Sequence, residues 1–133
     1  MIKLPDDRAT DFSRLEKSIN NVKSYTELEE FYRGFITNYK ALNLKYLFSE
    51  YLNENFVFTQ LREKMAVRYR DLFGMPFGIK DVFNTKVLPT TMGSEIWRGF
   101  KAGNNARIVD EIEDRGAVIF SKTTTAEFAV HYI

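Results

Sequence analysis

The stretch "NARIVDEIEDRGAVIFS", Asn105 to Ser121, decides the fold. Its first part places Ile108, Val109 and Ile112 on one face at helical spacing and carries Gly116 at the C′ position, so it reads as a helix. Ala117 to Ser121 is then a short apolar run rich in β-branched residues, which reads as a buried strand. Upstream, Gly74 and Pro76 interrupt a helical pattern, and Phe77 to Val82 reads as another short strand. Between them lies a loop through Pro89, Thr90, Thr91 and Gly93. Strand, helix and strand in that order make a βαβ unit with parallel strands and a right-handed crossover. The fold class is α/β, with N-terminal helices ahead of this unit.

The segment before it is Gly-poor. Residues 73–133 hold six of the seven glycines and two of the three prolines. Residues 1–72 are rich in Leu, Phe, Tyr, Glu and Lys and read as mainly helical. "SYTELEEFYRGFITNYKALN" opens with Ser24 and has Glu27 three residues on, a capping box. Leu28, Phe31, Phe35 and Tyr39 form its apolar stripe. Lys45 to Phe48 reads as a strand, and Asn53 to Arg70 as a second helix with Phe58, Leu61, Met65 and Tyr69 inward. The first ~20 residues read as a loosely packed arm, poor in the apolar periodicity that docks a terminus. "TTAEFAVHY" reads as the start of another helix, capped by Thr124 or Thr125.

Composition narrows the chemistry. The chain has 133 residues, 44% hydrophobic and 15% aromatic, which is enough for one packed domain or part of one. A net charge of +1 with no basic block offers no electrostatic footprint for nucleic acid. The absence of cysteine removes thiolate catalysis and Cys-based metal sites, and no metal or cofactor is expected. His131 alone would have to serve any His-dependent triad. No apolar run reaches the roughly 18 residues that span a bilayer, and the N-terminus lacks a signal-peptide core, so a cytoplasmic location is expected.

Three local patterns bear on function. "GAVIFSKT" falls one glycine short of a phosphate-binding loop, and its Ala-Val-Ile-Phe core favours a strand over converging amides. Asp110, Glu111, Glu113 and Asp114 lie beside Arg107 and Arg115 and read as a solvated helix face. "GMPFGIKD" is the unusual one: Lys80 sits in an apolar, Gly-containing segment, and lysine is rarely buried unless paired.

The same segment carries a family resemblance. "GMPFGIKDVFNTKVLPTTMGS" resembles the pattern "GIPxxIKDxxxTxGLPTTxGS" of the amidase signature family. "WRGF" and "ARIVDEIEDRGAVIFSKTTTAEFA" resemble that family's next segments, and the first long helix is similar to it more weakly. Val87, Asn105, Ser121 and Thr124 depart from the usual residues. The resemblance implies the N-terminal portion of a mixed-sheet α/β/α amidase domain over residues 1–133. It implies amide C–N cleavage through an acyl-enzyme on a Ser-cis-Ser-Lys triad, with Lys80 as base and a small-molecule amide as substrate. Burial among Phe77, Ile79 and Val82 is expected to disfavour the charged form of Lys80 and so make it usable as a base. Asp81 is expected to organise the turn by accepting backbone hydrogen bonds. The resemblance puts both triad serines in a Gly/Ser-rich segment that this sequence does not contain, and neither Ser94 nor Ser121 has that context. The chain alone is therefore expected to be inactive, to partner the remainder of the amidase domain, and to associate with itself through exposed strand edges. Three readings stand side by side: part of an amidase, the amidase component of an aminoacyl-tRNA amidotransferase, and a non-catalytic remnant or interaction protein.

Overall fold

The computed structural model describes residues 11–129. Helices α1 (Asp11–Asn20) and α2 (Tyr25–Tyr46) precede strand β1 (Ser49–Tyr51) and helix α3 (Glu54–Lys64). Strand β2 (Pro76–Lys80), helix α4 (Arg107–Asp114) and strand β3 (Val118–Thr123) follow. The sheet has the order β1-β3-β2: β2 runs parallel to the central β3, and β1 runs antiparallel to it. The βαβ unit read from the sequence is present, and the class is α/β with a small mixed sheet.

Helices pack on both faces. Val118 and Phe120 of β3 join Leu28, Tyr32 and Ile36 of α2, Val57 and Leu61 of α3, and Ile19 of α1 in the larger core. Ile119 joins Ile79, Leu88 and Val109 in a smaller core on the α4 side. Phe120 meets the Tyr32, Phe35 and Tyr39 rings, with the Phe35 and Tyr39 contacts edge-to-face. Half of the capping box is built as read: Ser24 Oγ accepts from the Glu27 amide, while the Glu27 carboxylate reaches one residue further back and accepts from the Lys23 amide instead of the Ser24 amide.

Several boundaries differ from expectation. Residues 11–20 form a helix that buries Ile19 completely, so the expected arm does not extend through them; residues 1–10 lie outside the described part. Lys45 and Tyr46 finish α2, and the strand begins only at Ser49, because Leu47 turns left-handed and ends the helix. The buried row of α2 is Leu28, Tyr32 and Ile36, with Phe31, Phe35 and Tyr39 half-buried beside it. Tyr32 takes the central place because its hydroxyl reaches the Gly74 carbonyl, which makes the polar tip tolerable inside. Helix α3 stops at Lys64, so Tyr69 is exposed, and Val57, Gln60 and Leu61 face inward. Ile108 is likewise half exposed while Val109 is buried. Glu127–Ala129 is a single tight turn with left-handed Phe128 and Ala129, so no helix has begun by Ala129. The rest of that expected helix, His131 included, lies outside the described residues. Gly116 does occupy the left-handed position after α4, and a Cβ there would meet the Phe73 backbone at 2.9 Å.

Candidate functional site around Lys80 and Asp81

Lys80 is the last residue of β2, opposite Thr123 of β3. Successive side chains in a strand point to opposite faces. Ile79 and Asp81 turn inward and are buried, and Lys80 turns outward and is exposed. This corrects the expected burial of Lys80 among Phe77, Ile79 and Val82: those neighbours do not enclose it. Among the described residues its ammonium has neither a hydrogen-bond nor an ion-pair partner. Gly78, two residues back on the same face, has no room for a side chain, since a Cβ would stand 2.8 Å from Thr123 Cγ2.

Asp81 behaves as a turn organiser and more. Its amide donates to the Thr123 carbonyl at 3.0 Å, and its carbonyl accepts from the Met92 amide at 2.9 Å. Its carboxylate accepts from the Thr91 amide at 3.0 Å and from the Thr91 hydroxyl. It also faces Lys122 Nζ at 3.3 Å, with both side chains fully buried. Lys122 is thus the buried lysine among the described residues. Reading β3 as ending at Ser121 left Lys122 outside the strand, which in fact runs to Thr123.

A bulge aims Lys122. Phe77 pairs with Ile119 and Gly78 with Ser121, so β3 spends two steps where β2 spends one. Phe120 and Ser121 therefore both face α2, and Ser121 Oγ lies 2.7 Å from the Tyr39 hydroxyl. Lys122 emerges on the opposite side, toward the loop after β2. There it donates to the carbonyls of Phe83 at 2.8 Å and Pro89 at 3.2 Å and to Thr90 Oγ1 at 2.8 Å. Burial lowers its pKa, and the Asp81 charge opposes that shift.

The "TTMGS" turn closes the site. Met92 and Gly93 are both left-handed, and a Cβ on Gly93 would stand 2.6 Å from the Thr125 carbonyl oxygen. Ser94 caps the following turn through its Oγ and donates to Glu127 Oε1 at 2.9 Å, so it is a structural residue here. An apolar cleft of about 250 Å³, lined by Asn84, Thr90, Met92, Trp97, Phe100 and Phe128, adjoins this loop.

Of the carboxylates on α4, Asp110, Glu111 and Asp114 are exposed as read, but Glu113 is half-buried. Burial raises its pKa, against the opposing charge of Lys64. A carboxylate with a raised folded-state pKa leaves the folded state holding the proton longer than the unfolded state. That stabilisation is complete below the ordinary Glu value of about 4.3 and is lost as pH climbs through the raised value. Glu113→Gln is expected to abolish this loss. Its melting temperature should exceed wild type at pH 7 and converge with it near pH 4, about the ordinary Glu value. A gap that widens on acidification would contradict the assignment.

The amidase family profile matches residues 35–133. This chain belongs to the amidase family. Among curated relatives, it is 44% identical over 63 residues to a glutamyl-tRNA(Gln) amidotransferase subunit from Acidothermus cellulolyticus, covering 47% of this chain and 12% of that protein. It is 43% identical over 60 residues to a mitochondrial glutamyl-tRNA(Gln) amidotransferase subunit from Xenopus tropicalis, covering 45% of this chain and 12% of that protein. Among solved structures, the peptide amidase from Stenotrophomonas maltophilia superposes with a TM-score of 0.74 at 23% identity, over 92% of this chain and 26% of that one. An amidase family protein from Bacillus anthracis gives 0.68 at 27% identity, over 86% and 24%. The amidase chain therefore spans only 12% of the length of these curated relatives. Among its described residues, no helix is long and apolar enough to cross a membrane, and no group of three or more His, Cys, Asp or Glu side chains is placed to hold a metal ion.

Proposed function

We propose that this chain supplies the general base of an amidase that cleaves a carboxamide C–N bond through an acyl-enzyme, with Lys80 as that base. The supporting observation is the end of β2: Lys80 projects from the sheet, without a partner among the described residues, beside a turn built around buried Asp81. In this reading both serines of the triad and the oxyanion donors come from the remainder of the amidase domain, which is the partner surface that closes over Lys80. That covering would supply the desolvation a neutral lysine needs. Neutral Lys80 would accept, through one serine, the proton of the other, which attacks the amide carbon, and the same proton then passes to the leaving amine. The C–N bond breaks with protonation of the amine, and water resolves the ester.

A second reading has its own support, because the curated relatives described above carry the name of a glutamyl-tRNA(Gln) amidotransferase subunit. The two readings share the acyl-enzyme and differ in where the released amine goes. The test uses the full-length protein on a panel of simple aryl and alkyl amides with hydroxylamine as competing nucleophile. Hydroxamate formation is expected, at the expense of free acid. Turnover that requires glutamyl-tRNA(Gln) would select the amidotransferase reading. A full-length protein that forms neither acid nor hydroxamate under either condition would defeat both and favour a non-catalytic role.

A further inference from the structure

We propose that Lys122 is a positioning residue for Lys80: its buried ammonium ties the central strand to the loop that follows Lys80 and so sets the direction in which Lys80 leaves the sheet. This rests on the reading of Lys80 as base. The geometry carries it. The four groups around Lys122 Nζ belong to Asp81, Phe83, Pro89 and Thr90, all within ten residues of Lys80 along the chain. The Lys80 carbonyl itself accepts from the Phe83 amide at 3.0 Å, so the clamped loop begins on Lys80's own peptide unit.

Energetics point the same way. Burying an ion pair costs several kcal/mol in desolvation, and apolar residues of equal volume often do as well or better for stability. A lysine kept at this site contributes geometry. An ammonium has three N–H groups, and here all three have neutral acceptors, with the carboxylate alongside. No lone pair is free, which separates its role from that of Lys80. The bulge in β3 is what delivers Lys122 to this face, and bulges commonly re-aim side chains beside active sites.

The test uses the full-length protein and the amide that it turns over. Lys122→Met keeps the unbranched stem out to Cε and removes the ammonium group with its charge. Turnover per folded molecule is expected to fall about 10- to 100-fold, the scale of a misplaced catalytic group, with KM little changed. The profile of kcat/KM against pH should also move to higher pH. Asp81 then keeps its Thr91 hydrogen bonds but loses its counter-charge, and an uncompensated negative charge one residue from Lys80 makes the Lys80 ammonium harder to deprotonate. In Lys122→Met with Asp81→Asn the profile should return while turnover stays low. A merely structural role would lower the folded fraction and leave the profile in place.

Thr90→Val covers the case in which Lys122→Met fails to fold. It removes one acceptor and keeps both charges, and turnover should fall several-fold with no shift. Wild-type turnover and an unmoved profile in folded Lys122→Met, or wild-type turnover in Thr90→Val, would overturn the proposal. Lys80→Ala separates the two claims. If Lys80→Ala abolishes turnover while Lys122→Met does not, positioning fails alone. If Lys80→Ala is active, the reading of the base fails with it.

Discussion

Lys80→Ala in the full-length protein is expected to lower turnover by about 10²- to 10⁴-fold, the usual contribution of a general base. Groups acting as a triad are non-additive, so the loss can exceed that range. The fold should survive, because the Lys80 side chain is exposed at a strand end and makes neither hydrogen bond nor ion pair among the described residues. Lys80→Arg is the sharper variant. Guanidinium remains protonated at any usable pH and cannot accept a proton, so arginine should be no better than alanine. Lys86→Ala, an exposed lysine in the following loop, should be close to wild type. Wild-type activity should decline as pH falls, since an ammonium group cannot serve as base. The measurement is the pH–rate profile of wild type beside Lys80→Arg, with circular dichroism to confirm folding. Near-normal turnover in a folded Lys80→Arg protein would show that the position supplies charge alone, and the assignment would be withdrawn.

The largest expected loss of stability comes from Gln60. Its side-chain amide lies flat against the central strand: Nε2 donates to the Ile119 carbonyl at 2.9 Å, and Oε1 accepts from the Ile119 amide at 2.8 Å. β1 reaches β3 only at Lys122 and Thr123, so this part of the strand has no backbone partner on that side among the described residues. One buried glutamine stands in for a missing strand. Gln60→Leu fills the space and leaves two buried backbone groups unpaired. Each costs about 1–3 kcal/mol, so a loss of about 2–6 kcal/mol is expected by urea unfolding. Gln60→Glu should be no better, since it loses the donor and adds a buried charge. Thr59→Ala, on the exposed side of the same helix, should change stability by no more than about 0.5 kcal/mol. A Gln60→Leu protein as stable as wild type would mean that another group reaches Ile119.

The sequence determined the long N-terminal helix, the βαβ unit and the family. Periodicity alone placed α2, α4 and the βαβ unit, because each buries one face and the 3.6-residue and two-residue repeats are written in the side chains. The continuous match from Gly74 to Ala129 located Lys80, and the structure sets it at the end of β2. Element ends were less legible. Leu47 in a left-handed conformation carries no local signature, and it moved β1 beyond the "KYLF" run.

The tertiary structure decided which lysine is buried. The reading of Lys80 as enclosed treated an apolar neighbourhood in sequence as one in space. A strand sends neighbours to opposite faces, so Phe77 and Ile79 face away from Lys80, and Val82 lies in the turn beyond the strand end. Lys122 lies at the end of an apolar run and is buried because one extra residue in β3 swings it from the α2 face to the loop. That bulge, and the Gln60 amide beside it, arise from pairing between segments about 40 to 60 residues apart, and no local pattern encodes them. Burial and partners of a charged group are properties of the packed chain, which is why the motif drew attention to Lys80 and only the fold showed that Lys122 is the one enclosed among the described residues.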